Sequence, residues 1–120
     1  MKLHRWDDIA VEVMNPSFAR QVVHTDRITI AKLDLKKGGH VPLHHHENEQ
    51  VSIVFTGKLL FHSEGRQIEV NAGEALQIPS HVPHAVDVLE DSFVFDLFAP
   101  VRGDWLSGND AYLRQSEASS

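Results

Sequence analysis

The sequence predicts an all-β domain, a barrel or sandwich of short strands. Three observations carry this. β-Branched and aromatic residues recur in short alternating runs, such as "RITIAKLDL" (Arg27–Leu35) and "SFVFDLF" (Ser92–Phe98). Turn residues interrupt these runs at close spacing, at "KKGG", Ser63-Glu64-Gly65, "NAG" and "LED". Helical periodicity is weak throughout.

The elements follow in order. Residues 1–18 read as an N-terminal segment with one short helix around Asp7–Val13. A barrel is expected over residues 19–99. Its strands are Ala19–His24, Arg27–Leu35, "HVPLHHH" (40–46), "QVSIVFT" (50–56), "KLLFHS" (58–63), "RQIEV" (66–70), "EALQIP" (74–79), "SHVPHAVDV" (80–88) and Ser92–Phe98. Gly57 and "LED" at 89–91 separate neighbouring strands, and Ser63-Glu64-Gly65 closes a hairpin. Residues 100–120 form a C-terminal segment. "GDWLSGNDAYLRQ" there holds a second short helix, and "QSEASS" frays.

Composition narrows the function. A chain of 120 residues suits one domain, able to bury a core without disulfide or metal staples. The absence of cysteine excludes a disulfide framework and thiolate chemistry. No apolar run approaches the roughly 20 residues of a membrane span. The start "MKLHRWDDIAVEVM" lacks the long apolar stretch of a signal peptide, so a cytoplasmic location is expected. The net charge of −6, with no basic cluster, argues against nucleic acid as a partner. The unusual feature is nine histidines. Histidine is the commonest metal ligand, so their arrangement decides much.

Residues two apart on a strand share a face. His44 and His46 therefore point one way and His45 the other. Two imidazoles on one face make half of a metal site. On the next strand Gln50, Ser52 and Val54 share a face that Gln50 heads. Glu49 starts the opposite face or lies in the bend. A further imidazole is available at His84, in a segment stiffened by Pro79 and Pro83. His4, His24 and His62 read as surface or satisfied core residues, and His40, His45 and His81 as rim residues. Asp96 sits within the apolar run "SFVFDLF", on the face of Val94 and Phe98, where a carboxylate needs a reason. Placed in the cavity, it suits proton transfer. Arg102 follows that strand, and its guanidinium suits bidentate capture of a substrate carboxylate. Phe98 offers an apolar wall.

The spacing resembles the two motifs of the cupin superfamily. Gly38 is followed by five residues, His44-His45-His46, three residues, Gln50, six residues and Gly57. Gly73 is followed by five residues, Pro79-Ser80-His81, two residues, His84, three residues and Val88. Gln50 stands where the family has Glu, His81 where it has Gly, and Val88 where it has Asn. The resemblance implies a single cupin β-barrel, a jelly roll or double-stranded β-helix. It also implies one divalent transition metal on His44, His46, Gln50 and His84. Nickel, iron, manganese and zinc all suit such donors. His-x-His with a nearby Gln, together with the ending "FDLFAPVRGDWLSGNDAYLRQ", is similar to the pectin-degradation (KdgF-type) cupins. That family converts 4,5-unsaturated uronates from pectin or alginate breakdown into linear, ketonised sugars. On this likeness Asp96 and Arg102 are the expected catalytic residues. Phe98 and Arg102 are the expected contacts of a small sugar-acid substrate, and a homodimer is implied. The alternatives are another metal-cupin enzyme, a dioxygenase or isomerase, or a non-catalytic metal- or sugar-binding cupin.

Overall fold

The computed structural model describes residues 1–114; the expected frayed end at 115–120 lies outside the described residues. The described residues form eight strands: β1 (Glu12–Asn15), β2 (Phe18–His24), β3 (Thr29–Leu35), β4 (His40–His44), β5 (Glu49–Ser63), β6 (Arg66–Asn71), β7 (Ala75–Ile78) and β8 (His84–Ala99). All pairings are antiparallel. The architecture is the all-β barrel that the short alternating runs and frequent turns predict.

Two long strands close the barrel. The first half of β8 lies between β4 and the second half of β5, for example Val86 opposite both Val41 and Phe61. Its second half lies between β3 and the first half of β5, for example Val94 opposite both Leu33 and Val54. β5 likewise pairs with β7 through its first half and β6 through its second. The core lies between the two layers so formed. Leu33 and Leu35 of β3 meet Val54, Leu59 and Phe61 of β5 and Val86, Val88 and Val94 of β8, all buried. Each such side chain contributes roughly 1.5–3 kcal/mol by leaving water.

Continuous β5 and β8 correct the expectation of separate strands divided at Gly57 and at "LED". The cause is a shared bend. Gly57 has φ +93°, and the ladder shifts register between Val54 and Leu59. Ser92 fills the corner: its hydroxyl accepts from the Lys58 N–H at 3.1 Å and donates to the Glu90 carbonyl at 2.7 Å. A Cβ on Gly57 would sit 2.1 Å from Ser92 Oγ and 2.5 Å from the Asp91 carbonyl oxygen. The glycine is there for close approach and a positive φ, not for chain reversal.

Other boundaries also move. The helix expected around Asp7–Val13 is a single 3-10 turn at Trp6–Asp8, after which β1 joins the sheet. Met14 points inward from β1 while Val13 is exposed, so strand alternation prevails there. The strand expected from Ser80 begins at His84, because residues 80–81 form a turn flanked by Pro79 and Pro83. After β8, a helical turn α1 (Gly103–Leu106) and a 3-10 turn (Ala111–Leu113) fall where a short helix was expected. This segment packs back on the barrel. Leu113 joins the core, and its carbonyl accepts from Asn15 Nδ2 at 3.1 Å. The buried Arg20 of β2 pairs with Asp110 at 2.5 Å.

Candidate metal centre

His44, His46 and His84 converge, with one ring nitrogen of each within 4.8 Å of the others. His44 closes β4 and lies directly opposite His84, the first residue of β8. Their ring centroids are 4.3 Å apart. His46 lies beyond the end of β4, in the bend toward β5. Its carbonyl accepts the N–H of His81 at 2.8 Å, which fixes the bend against the turn before β8. His81 holds φ +65°, the left-handed region where the family motif carries glycine.

Each of the three rings is oriented through Nδ1. His44 donates to the Pro42 carbonyl at 2.8 Å, His46 to that of Asn48 at 3.0 Å, and His84 to that of Val82 at 2.9 Å. A carbonyl only accepts, so Nδ1 carries the proton and a neutral ring presents its lone pair at Nε2. Burial pushes His44 and His46 down to about 4, and lowers His84 too. All three rings are therefore neutral near pH 7. His84 Nε2 is buried with no hydrogen-bond partner among the described residues. Such an atom costs free energy unless something electrophilic meets it.

Gln50 completes the constellation from β5. Its Nε2 donates to Ser52 Oγ at 2.9 Å and toward Asp96 Oδ2 at 3.4 Å. Only the amide nitrogen can serve a carboxylate this way, so Oε1 faces His46 Nε2, 3.1 Å away. With His46 protonated at Nδ1, both facing atoms are acceptors. Two lone pairs directed into one space fit a cation between them. The neutral donors, the orphaned His84 nitrogen and this facing pair together suit a divalent metal ion. His45 is exposed and does not join the cluster.

Asp96 stands opposite Ser52 on the neighbouring strand. Its Oδ1 is buried and has no hydrogen-bond partner among the described residues. Burial pushes its carboxyl up to about 6, against the opposing pull of the Ser52 hydroxyl and Arg102. Phe98 packs its ring edge-on to His46, with centroids 5.7 Å apart.

Arg102 is buried, and one of its two bidentate edges is already occupied: Nε and Nη2 donate to the two carboxylate oxygens of Asp104, at 2.9 and 2.6 Å. Nη2 also donates to the Tyr112 hydroxyl at 2.6 Å. The guanidinium lies 4.7 Å from the centroid of Phe98 and 4.5 Å from that of Trp105. Burial works against its charge, but Asp104 and Tyr112 outweigh it and hold its pKa above the ordinary value.

Sequence reasoning did not single out Ser52, Asn48, Asp104 or Tyr112. Asn48 donates to the Pro100 and Val101 carbonyls and so ties the His46 bend to the segment that delivers Arg102. Tyr112 lies against His44, with centroids 4.9 Å apart. The inward face of β5 could have flagged Ser52. Nothing in local pattern marks the others. Of the other histidines, His4 is exposed, His24 meets Thr29 Oγ1 at 2.8 Å, and His40 and His62 bond the two oxygens of Asp87 at 2.8 and 2.6 Å.

A family model of the cupin domain matches residues 31–97, more than half of the chain, and the chain belongs to the cupin family. It resembles KdgF from Halomonas sp., with a TM-score of 0.79 and 28% identity over 87% of this chain and 99% of that one. An RmlC-like cupin from Shewanella frigidimarina NCIMB 400 matches with a TM-score of 0.80 and 24% identity over 88% and 96% of the two chains, a likeness of fold. An oxalate-binding protein of Thermotoga maritima is 26% identical over 70 residues, 58% of this chain and 58% of that protein. The chain thus spans less than two thirds of that relative's length.

Proposed function

We propose that this cupin is a metal-dependent enzyme that opens and ketonises 4,5-unsaturated uronates. The observation that supports it most is the meeting of a neutral donor set, His44, His46, His84 and Gln50, with Asp96, whose buried Oδ1 has no partner among the described residues. In this reading those four residues hold one divalent transition metal. When bound, the ion keeps its full +2 charge among neutral donors and supplies Lewis-acid polarisation of a substrate oxygen. No donor in the set is anionic, which favours isomerisation over cycling of the metal to a higher oxidation state.

The reaction needs no co-reactant. A proton leaves the anomeric hydroxyl. The bond from C1 to the ring oxygen then breaks, with its electron pair on that oxygen. The enolate so formed takes a proton at C4 and becomes the ketone. Asp96 accepts the first proton and returns it at C4. Gln50 and Ser52 orient its carboxyl. Phe98 forms the apolar wall that keeps water from the reacting centre. Arg102 draws the substrate carboxylate. The likeness to KdgF of Halomonas supports this reaction class. A homodimer in the cytoplasm belongs to the same reading, and light scattering checks its mass.

The test adds metal-loaded protein to a 4,5-unsaturated monouronate and follows loss of the conjugated absorbance. Acceleration over the spontaneous reaction is expected, and it should be lost in Asp96→Asn. No acceleration by the metal-loaded wild type overturns the proposal.

A further inference from the structure

We infer that the substrate carboxylate is held by a composite anchor, Nη1 of Arg102 together with the hydroxyl of Tyr112. This deepens the uronate reading, on which it rests in taking the ligand to be a sugar acid.

The inference starts from the edge that Asp104 occupies. A guanidinium offers a carboxylate two forked edges, and Asp104 has taken the one made by Nε and Nη2. Among the described residues Nη1 has no hydrogen-bond partner. Arg102 lines the cavity that also holds His44, Gln50, His84 and Asp96. One donor fixes a carboxylate poorly, because the anion still turns about the single bond.

Tyr112 supplies the second donor. Its hydroxyl oxygen already accepts from Arg102 Nη2 at 2.6 Å. Having accepted from that side, the hydroxyl directs its own proton elsewhere. Tyr112 lines the same cavity and lies against His44, so that proton has the cavity to point into. An anion between Nη1 and the hydroxyl would receive one hydrogen bond from each, beside the histidine cluster.

The scaffold holds this pair rigidly. Tyr112 sits in the 3-10 turn between Asp110, which is ion-paired with buried Arg20, and Leu113, which is in the core. Arg102 is fixed by its backbone N–H to Thr29 Oγ1 at 2.9 Å and by stacking near Phe98 and Trp105. Asp104 cancels most of the charge of Arg102. Affinity for an anion then depends on neutral donors such as the phenol more than an unpaired arginine would require.

The experiment measures calorimetric binding of galacturonate and of its methyl ester to metal-loaded protein. Neither ligand carries the 4,5 double bond, so neither is consumed. Wild type should bind the acid about tenfold more tightly than the ester, or better, as a hydrogen bond to a charged group implies. Tyr112→Phe should lose most of that preference while keeping metal content and melting temperature. Equal binding of acid and ester by wild type overturns the anchor, whatever the variant does. A Tyr112→Phe protein that keeps the full preference also overturns it. A failed absorbance assay with the acid preference intact would instead sink the uronate reaction and leave the carboxylate anchor standing.

Discussion

Nε2 of His46 and Oε1 of Gln50 face each other 3.1 Å apart with lone pairs on both. Each is locked in that role from behind: His46 by the Asn48 carbonyl, Gln50 by Ser52 and Asp96. In a protein without a cation this contact is repulsive, so it is where metal dependence should be most visible. Single substitutions His44→Ala, His46→Ala and His84→Ala should each remove stoichiometric metal. His45→Ala should leave it at wild-type level. Gln50→Glu should retain one equivalent and lower turnover, by about tenfold. Elemental analysis of the five purified variants reads the first three effects, and loss of metal from His45→Ala would contradict the geometry.

His81 bears on stability rather than chemistry. It occupies a left-handed backbone conformation, which costs a β-carbon residue roughly 1 kcal/mol. Its side chain is exposed, and its role in the His46 bend is played by the backbone N–H. His81→Gly keeps that hydrogen bond and removes the strain. The variant should be more stable by up to about 1 kcal/mol, less the entropy glycine adds to the unfolded chain, with metal content unchanged. A lower denaturation midpoint would count against this account.

Gly57→Ala should do the reverse. The added methyl meets Ser92 Oγ and the Asp91 carbonyl at the corner where both long strands bend. Neither neighbour is the far end of a flexible side chain. A loss of about 2–4 kcal/mol is expected in urea unfolding. Ser92→Gly in the same chain should recover only the part due to Oγ, because the Asp91 carbonyl and the positive φ remain.

Asp110 gives the fold a dependence on acid. Burial alone would raise its pKa, but hydrogen bonds from Arg20 and Arg114 outweigh burial and hold it below the usual carboxylate value. A depressed folded pKa stabilises the native state above the unfolded value, near 4, and that contribution is lost as pH falls through the folded value. Asp110→Asn leaves buried Arg20 with only the longer of its two ion pairs, that to Glu12 at 3.4 Å. The variant should melt lower at pH 7. The gap between wild type and variant should narrow as pH falls below about 4. A gap independent of pH would show that the pair does not titrate with folding.

The cluster of three histidines was legible in the sequence. His44 and His84 are cross-strand neighbours, and the resemblance of both histidine segments to the cupin motifs pointed to them. Strand alternation separated His44 and His46 from His45, although His46 lies past the end of β4. Gly57 misled because a positive φ is a local property, whereas reversal depends on partners. Its strand continues because Ser92 and Lys58 close the corner from 34 residues apart. Met14 was missed as a strand residue because β1 is only four residues long. Tyr112 and Asp104 were beyond reach for another reason. They come from turns after the last strand, and what they touch is set by Arg20, Thr29 and Asn15 at the other end of the chain.

That last segment divides the labour of the molecule. The strands supply every candidate donor to the ion except His46, which follows β4 directly, and a change to any of them also changes the barrel. Residues 103–113 supply Asp104 and Tyr112 but contribute nothing to the sheet. On the proposed reading, a cupin built this way could exchange the acid it takes by rewriting the residues of 103–113 alone. The barrel would then act as a standing socket for the ion, and the terminal turns as a replaceable key to the substrate.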